Sequence, residues 1–170
     1  MSRSYPIQVV DLFAGPGGLG EGFSSHSDIN GDTFEIKVSA EMEVSARSTL
    51  RLRAFYRLLK SRQPEALEDY YNFCETADVP EPYTTKSLEA WRHADNEAQL
   101  LELGTEAGNT GLDKMLASRL DETRPWVLIG GPPCQAYSIV GRARNRGKVD
   151  YRAENDHRHF LYREYLRIIQ

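Results

Sequence analysis

Residues 7–18 read Ile-Gln-Val-Val-Asp-Leu-Phe-Ala-Gly-Pro-Gly-Gly, an apolar run that ends in a glycine-rich turn. Residues 7–13 are apolar except for Gln8 and Asp11, which is typical of a short strand buried on both faces of a parallel sheet. The glycines that follow let the backbone approach a ligand closely. A strand, a glycine turn and a helix in succession begin an open α/β sheet, in which ligands bind at the carboxyl ends of the strands.

A second strand is predicted over Phe34–Ala40, because Phe34, Ile36 and Val38 alternate with polar residues. Two strands joined through a helix form a parallel crossover unit, which places Glu41 beside the glycine turn. A carboxylate there can accept two hydrogen bonds from a ribose diol. Each feature alone has a simpler explanation, since a glycine turn can merely reverse the chain and a strand-end acid can merely be solvated.

The predicted elements after the second strand alternate between helix and strand. They are a helix over 45–62, weaker helices over 64–79 and 88–98, a strand over 100–103, a helix over 112–120, a strand over 126–129 and a last helix from residue 156. The sequence therefore predicts an α/β fold whose partial parallel sheet has the order 3-2-1-4, with helices on both faces. One domain over 1–170 would carry a helical insertion at about 44–98.

The fourth predicted strand leads into Gly130-Gly131-Pro132-Pro133-Cys134. Its carboxyl end is expected beside the glycine turn, so the Cys134 thiol would lie in the same cleft. A free cysteine is most often a small buried apolar residue. Two prolines that stiffen its approach instead favour a thiolate held in a fixed direction. Such a thiolate needs nearby positive charge or hydrogen bonds to be populated at neutral pH.

The net charge of −4 hides an uneven distribution, since residues 141–170 carry +4 and residues 1–140 carry −8. Four of the basic residues follow the cysteine closely, namely Arg142, Arg144, Arg146 and Lys148. They can stabilise a thiolate or contact an anionic partner. A solvated basic loop would have the same composition, so this alternative stays open.

The two cysteines, Cys74 and Cys134, lie in unlike contexts and lack the spacing of zinc ligands. This usage favours a reduced, cytoplasmic protein with no bound metal. The sequence has no apolar run long enough to cross a membrane and no export leader, so no membrane partner is expected.

The stretch Asp11-Leu12-Phe13-Ala14-Gly15-Pro16-Gly17-Gly18, together with Gly130-Gly131-Pro132-Pro133-Cys134-Gln135-Ala136-Tyr137-Ser138, closely resembles the DNA cytosine-5 methyltransferases. The first motif of that family reads D-x-F-x-G-x-G-G. Its nucleophile motif is Pro-Cys-Gln followed by an aromatic residue, serine and a glycine, here Gly141. The resemblance implies a Rossmann-like, S-adenosylmethionine-dependent methyltransferase fold.

The resemblance also implies roles for individual residues. The cofactor would be S-adenosylmethionine, and its product S-adenosylhomocysteine. Glu41 would bind the ribose, Met42 would lie against the adenine, Glu102 would bind the adenine amino group and Pro133 would lie beside the methyl donor. The rest of the cofactor site would be formed by Phe13, Ala14, Gly15, Pro16, Gly18 and Leu19. Double-stranded DNA would be faced by Gln135, Ser138, Arg142, Arg144, Arg146 and Lys148. Cys134 would add to C6 of a cytosine flipped out of the duplex, which activates C5 for methylation.

The Glu-Asn-Val segment, the Arg-containing motif and the target-recognition region of the family are not found in this sequence. The chain is therefore expected to be the N-terminal part of a bacterial restriction-modification enzyme, inactive until the C-terminal half is supplied in cis or as a separate subunit. Two alternatives stay open. One is a tRNA cytosine-5 methyltransferase of the same family, and the other is a non-catalytic S-adenosylmethionine-binding or regulatory module in which Cys134 is structural.

Overall fold

A computed structural model describes residues 5–29, 31–132 and 160–170 of the chain. The strands in these ranges are β1 (Ile7–Leu12), β2 (Ser27–Asp28), β3 (Gly31–Asp32), β4 (Phe34–Glu41), β5 (Ala98–Leu100) and β6 (Trp126–Gly130). The helices are α1 (Gly18–Ser24), α2 (Val44–Arg62), α3 (Leu67–Glu75), α4 (Leu88–Glu97), α5 (Glu106–Arg119) and α6 (Tyr162–Ile169), with a 3-10 turn at Pro64–Ala66. None of these helices is long and apolar enough to cross a membrane.

Four strands form a parallel sheet in the order β5-β4-β1-β6. β1 lies at the centre, pairing with β4 on one side and with β6 on the other. In chain-order numbering the sheet is 5-4-1-6 and not the predicted 3-2-1-4, because an antiparallel hairpin of β2 and β3 adds two short strands before β4. The polar, turn-rich sequence over 24–32 gave no alternating pattern from which this hairpin could be predicted.

The edge strand β5 lies upstream of its predicted position at 100–103. Ala98, which is fully buried, begins the strand. Beyond it, the Leu101 backbone N–H donates to the Glu41 carbonyl at 2.9 Å, and Gly104, with a φ of 89°, turns the chain toward α5. The leucines of the predicted strand at 100–103 therefore lie mostly after β5, and the last of them, Leu103, is buried in the core.

Helices cover both faces of the sheet. On one face, Val10, Leu12 and Val38 form a core with Leu112 of α5, and Tyr165 and Ile168 of α6 pack against it. On the other face, α1 lies over Asp11, as the close approach of Gly20 to the Asp11 carboxylate shows. The predicted arrangement of a parallel sheet between helices is thus confirmed, and it is compatible with a Rossmann-like methyltransferase.

The residues of the predicted insertion form α2, α3 and α4, and they contain a core of their own. Phe55 and Leu59, on the second half of α2, are fully buried with Ala94 of α4. The first half of α2 contacts the sheet instead, through a small cluster of Ala14, Leu50 and Ala98. α4 also lies along the first half of α2, because Arg47 and Arg51 of α2 both donate to the Asp95 carboxylate of α4 at 2.7 Å.

Candidate functional site

The carboxyl end of β1 enters α1 through a turn with left-handed backbone at Phe13 (φ 55°), Gly15 (φ 56°) and Gly17 (φ 88°). Glycine adopts this conformation freely, whereas a side chain makes it unfavourable by about 1 kcal/mol or more. A Cβ built on Gly15 or Gly18 would meet no atom within 4 Å, but one on Gly17 would lie 2.6 Å from the Leu50 side chain. The turn is therefore open on one side and backed by α2 on the other.

Glu41, the last residue of β4, fixes this turn. Its Oε2 accepts the backbone N–H of Gly15 at 2.7 Å, and its Oε1 accepts the backbone N–H of Glu43 at 2.7 Å. A carboxylate offers about four acceptor positions, so two remain for hydroxyl groups of a ligand. The structure places Glu41 against the glycine turn, as the crossover unit predicted. The bond to Gly15 was not predicted, and a contact with ribose stays a prediction.

Large apolar side chains are exposed at the same edge of the sheet. They are Leu19 at the start of α1, Met42 after β4, Val44 at the start of α2 and Leu100 at the end of β5. Exposed apolar groups around a polar anchor are typical of small-molecule sites. Leu19 and Met42 were predicted as cofactor contacts, whereas Val44 and Leu100 were not.

The remaining predicted cofactor contacts in the described ranges lie at this edge too. Pro16 is exposed and Ala14 is buried within the turn. Glu102 is exposed and follows Leu101, whose backbone N–H reaches the Glu41 carbonyl. The Glu102 carbonyl also accepts the Thr105 hydroxyl at 2.7 Å, and Thr105 caps α5. Glu102 thus follows directly after the last backbone hydrogen bond between the ends of β4 and β5. Its contact with adenine stays a prediction.

Asp11 is a buried acid that the sequence reasoning assigned no role. It is fully buried, and neither carboxylate oxygen completes a hydrogen bond within the described part of the chain. Burial raises the pKa of Asp11 to about 6, with a contribution from Glu97, while the facing Gly20 backbone N–H lowers it. A lone acid inside an apolar strand was the signal that could have identified it.

A polar layer lies near Asp11, between α1 and the other helices. Arg57 of α2 donates to Glu97 at 2.5 Å and to Glu21 of α1 at 3.3 Å. Burial raises the pKa of Glu97, although the Arg57 guanidinium opposes this effect. Arg57 therefore forms ion pairs with Glu21 and Glu97, and it forms none with Asp11.

On the other face, Tyr165 of α6 contacts the ends of two strands. Its ring stacks on Phe13 with 6.0 Å between centroids and 23° between planes. Its hydroxyl is 3.3 Å from the Leu12 carbonyl oxygen and 3.4 Å from the Ile129 carbonyl oxygen, so it can donate to either. Burial raises the pKa of Tyr165 to about 12.

Gly130 lies where β1, β6 and α6 meet. It has a φ of 134°, and a Cβ there would overlap the Leu12 carbonyl and the Tyr165 hydroxyl. Gly131, the next residue, would tolerate a Cβ with no atom within 4 Å. The glycine at 130 is thus required by close approach of the backbone, beside the segment that leads toward the predicted nucleophile.

The predicted nucleophile and DNA contacts lie outside the described residues. They are Pro133, Cys134, Gln135, Ser138, Arg142, Arg144, Arg146 and Lys148. Pro132, which precedes them, is described and follows β6 at the same edge of the sheet as Glu41. The roles of these eight residues stay predictions.

A separate open groove of about 1060 Å³ lies toward the amino end of β4. Three acids line it, and each is in an ion pair: Glu21 and Glu97 with Arg57, and Glu35 with Lys37. The groove contains none of the predicted site residues. The glycine turn and Glu41 therefore define the candidate site.

Two relatives align with nearly the whole chain. The chain is 30% identical over 177 aligned positions to the type II methyltransferase M.Bpa9945I of Bacillus paralicheniformis, which covers 95% of this chain and 37% of the relative. It is 28% identical over 160 positions to the provisionally named type II methyltransferase M.OihORF3336P of Oceanobacillus iheyensis, covering 94% of this chain and 25% of that relative. The chain thus spans between a quarter and two fifths of their lengths. No family model and no solved structure matches it.

Proposed function

We propose that this chain carries the cofactor-binding and nucleophile-bearing region of a DNA cytosine C5-methyltransferase that uses S-adenosylmethionine. The observation that carries the proposal is the hydrogen bond between Glu41 and the Gly15 backbone, which joins a strand-end acid to a glycine turn. The names of the two relatives support DNA methylation within a type II restriction-modification system. The Pro-Cys-Gln sequence at 133–135 supports chemistry at C5 of cytosine.

The residues at the carboxyl edge of the sheet suit this cofactor. When bound, S-adenosylmethionine supplies an electrophilic methyl group. The acceptor positions left on Glu41 suit ribose hydroxyls, and exposed Met42 and Leu100 suit the adenine ring. The open backbone at Gly15 and Gly18 leaves room for the methionine portion.

The proposed chemistry begins at Cys134, because C5 of cytosine is too weak a nucleophile to be methylated directly. The thiolate adds to C6, which forms a sulfur–carbon bond and moves an electron pair toward C5. C5 would then accept the methyl group as the bond between the methyl carbon and the sulfonium sulfur of the cofactor breaks, which leaves S-adenosylhomocysteine. A base would remove the C5 proton, and the bond between the Cys134 sulfur and C6 would break to return the thiolate. The cytosine must leave the duplex first, at an unstacking cost of about a few kcal/mol.

Double-stranded DNA is the proposed substrate. Type II methyltransferases are the named relatives, and this favours DNA over tRNA. The basic residues Arg142, Arg144, Arg146 and Lys148 would contact phosphates beside the flipped base, which fixes the protein on the duplex without reading sequence.

A trapping assay tests the proposal. Duplex DNA with 5-fluorocytosine blocks the last step, since fluorine cannot leave as a proton, and a covalent adduct accumulates. We expect an adduct with the chain when two components are added. One is S-adenosylmethionine, and the other is a polypeptide with the part of M.Bpa9945I that this chain does not cover. Cys134→Ser should abolish it, and Cys74→Ser, at an exposed free cysteine, should retain it. Equal adduct from Cys134→Ser would reject the proposal.

A further inference from the structure

Phe13 is a strained residue at the start of the glycine turn. Its φ of 55° lies in the left-handed region, where a non-glycine residue is held only if its surroundings impose the conformation. In the described ranges it is the one non-glycine residue with a positive φ. The backbone of Phe13 therefore needs a specific support.

The φ angle of Phe13 sets the orientation of its side chain relative to the preceding peptide group. Tyr165 contacts both of these groups. The hydroxyl donates to the Leu12 carbonyl, which belongs to the peptide group preceding Phe13. The ring stacks on the Phe13 side chain, which follows the direction of the Cα–Cβ bond. Holding the peptide on one side and the side chain on the other restricts rotation about the bond between them.

The same hydroxyl connects the turn to the neighbouring strand. It lies 3.4 Å from the Ile129 carbonyl oxygen, next to Gly130, where there is no room for a Cβ. The hydroxyl has one proton, which it can donate to either of these two carbonyls. A residue 153 positions after Leu12 in the sequence thus links the carboxyl ends of β1 and β6.

We propose that Tyr165 is a positioning residue for the cofactor: it holds Phe13 and the glycine turn in the binding conformation before S-adenosylmethionine arrives. This inference rests on the proposed function. A turn that populates the competent conformation only part of the time binds with an affinity reduced by that fraction. Tyr165 acts through Phe13 and needs no contact with the cofactor.

The first measurement needs no cofactor. In isotopically labelled protein, the Cα and Cβ chemical shifts of Phe13 report its left-handed backbone. We expect Tyr165→Leu, which removes ring and hydroxyl, to move these shifts toward ordinary values. Tyr165→Phe keeps the ring and should move them less. Tyr162→Phe, which deletes the same atom from an exposed tyrosine of the same helix, is the matched control and should leave them unchanged.

The second measurement is the dissociation constant for S-adenosylmethionine by titration calorimetry. We expect Tyr165→Leu to weaken binding roughly tenfold, Tyr165→Phe by a smaller factor, and Tyr162→Phe not at all. In a Phe13→Leu background, Tyr165→Leu should have little further effect, because the residue through which it acts is gone. A purely structural role would instead give the same factor in both backgrounds.

The outcomes separate the two proposals. If the wild type binds S-adenosylmethionine and Tyr165→Leu binds equally well with unchanged Phe13 shifts, the positioning role is wrong and the proposed function stands. If the wild type does not bind S-adenosylmethionine even with the added region used in the trapping assay, the proposed function fails and the positioning role fails with it. Should Tyr165→Leu not fold, the comparison of Tyr165→Phe with Tyr162→Phe tests the positioning role by the same two measurements.

Discussion

At the scale of single residues, Asp11 gives the fold a pH dependence of unusual sign. The pKa of its carboxyl group is about 6 in the folded protein, against an ordinary value of 3.8. The folded state therefore binds more protons than the unfolded state between these values, and stability falls as the pH rises through that window. The difference corresponds to a loss of about 3 kcal/mol once Asp11 is ionised.

We expect Asp11→Asn, which cannot ionise, to remove this loss. Urea unfolding from about pH 4 to about pH 7 should show a smaller decline in the free energy of unfolding than the wild type shows. Asp78→Asn, at an exposed position, is the control and should follow the wild type. Parallel curves for Asp11→Asn and the wild type would contradict the assignment.

Glu41 gives a second prediction at this scale. Glu41→Gln replaces a carboxylate that accepts two backbone N–H groups with an amide that has one acceptor oxygen. Hydrogen bonds to a charged group contribute about 1.5–3 kcal/mol, so S-adenosylmethionine should bind about tenfold or more weakly. Glu35→Gln changes the same group in the same strand, where the carboxylate pairs with Lys37, and should bind as the wild type does by calorimetry. Equal affinities for both variants would argue against a ligand at Glu41.

The sequence predicted part of the site. Glu41 lies against the glycine turn, because strand periodicity and parallel crossover are local rules that place strand ends together. The sequence did not single out Asp11 or Tyr165, because what distinguishes them is the burial of a polar group against residues distant in sequence. Periodicity reports which face is apolar, and it carries no information on which polar group is enclosed there.

At the scale of elements, the junction of β1, β6 and α6 depends on Gly130. Gly130→Ala would drive a methyl group into the Leu12 carbonyl, which cannot move without breaking the sheet. We expect a loss of roughly 3 kcal/mol or more in the free energy of unfolding by urea. Gly131→Ala, with open space around its Cβ, should cost little. Similar stabilities for the two variants would mean that β1 and β6 are not this close.

Elements with strong periodicity were predicted best. β1, β4 and β6 lie where their apolar runs indicated, within about two residues. α5 begins at Glu106, earlier than the predicted 112, because the Thr105 side chain caps it through the Gly108 N–H and not because of an apolar repeat. The apolar pattern of β1 does not explain why the polar residue Gln8 is buried. Its side-chain amide donates to the Asp121 carbonyl at 2.9 Å and accepts the Asp121 backbone N–H at 2.8 Å. These two bonds connect the segment before β6 to β1.

At the scale of the whole molecule, the uneven charge leads to a prediction about DNA. Replacing Arg142, Arg144, Arg146 and Lys148, which lie outside the described residues, with glutamine should weaken binding of a fluorescent duplex. The slope of log affinity against log salt should become shallower by up to about 3.6 if each residue contacts a phosphate. Glutamine at four exposed cations elsewhere, namely Lys60, Arg62, Arg92 and Lys114, changes the net charge equally and should leave the slope nearly unchanged. The same slope change in both would indicate a general charge effect.

The arrangement of α2 has a practical meaning for protein engineering. The first half of α2 packs against the glycine turn through Leu50, and α3 packs against α2 through the ring contact of Tyr70 with Tyr56. Residues 74–78, where α3 ends, are exposed. Exposed loop tips tolerate inserted domains. A fluorescent protein or an affinity tag inserted at Ala77, an exposed residue outside the candidate site, would therefore leave the glycine turn and Glu41 accessible to a ligand.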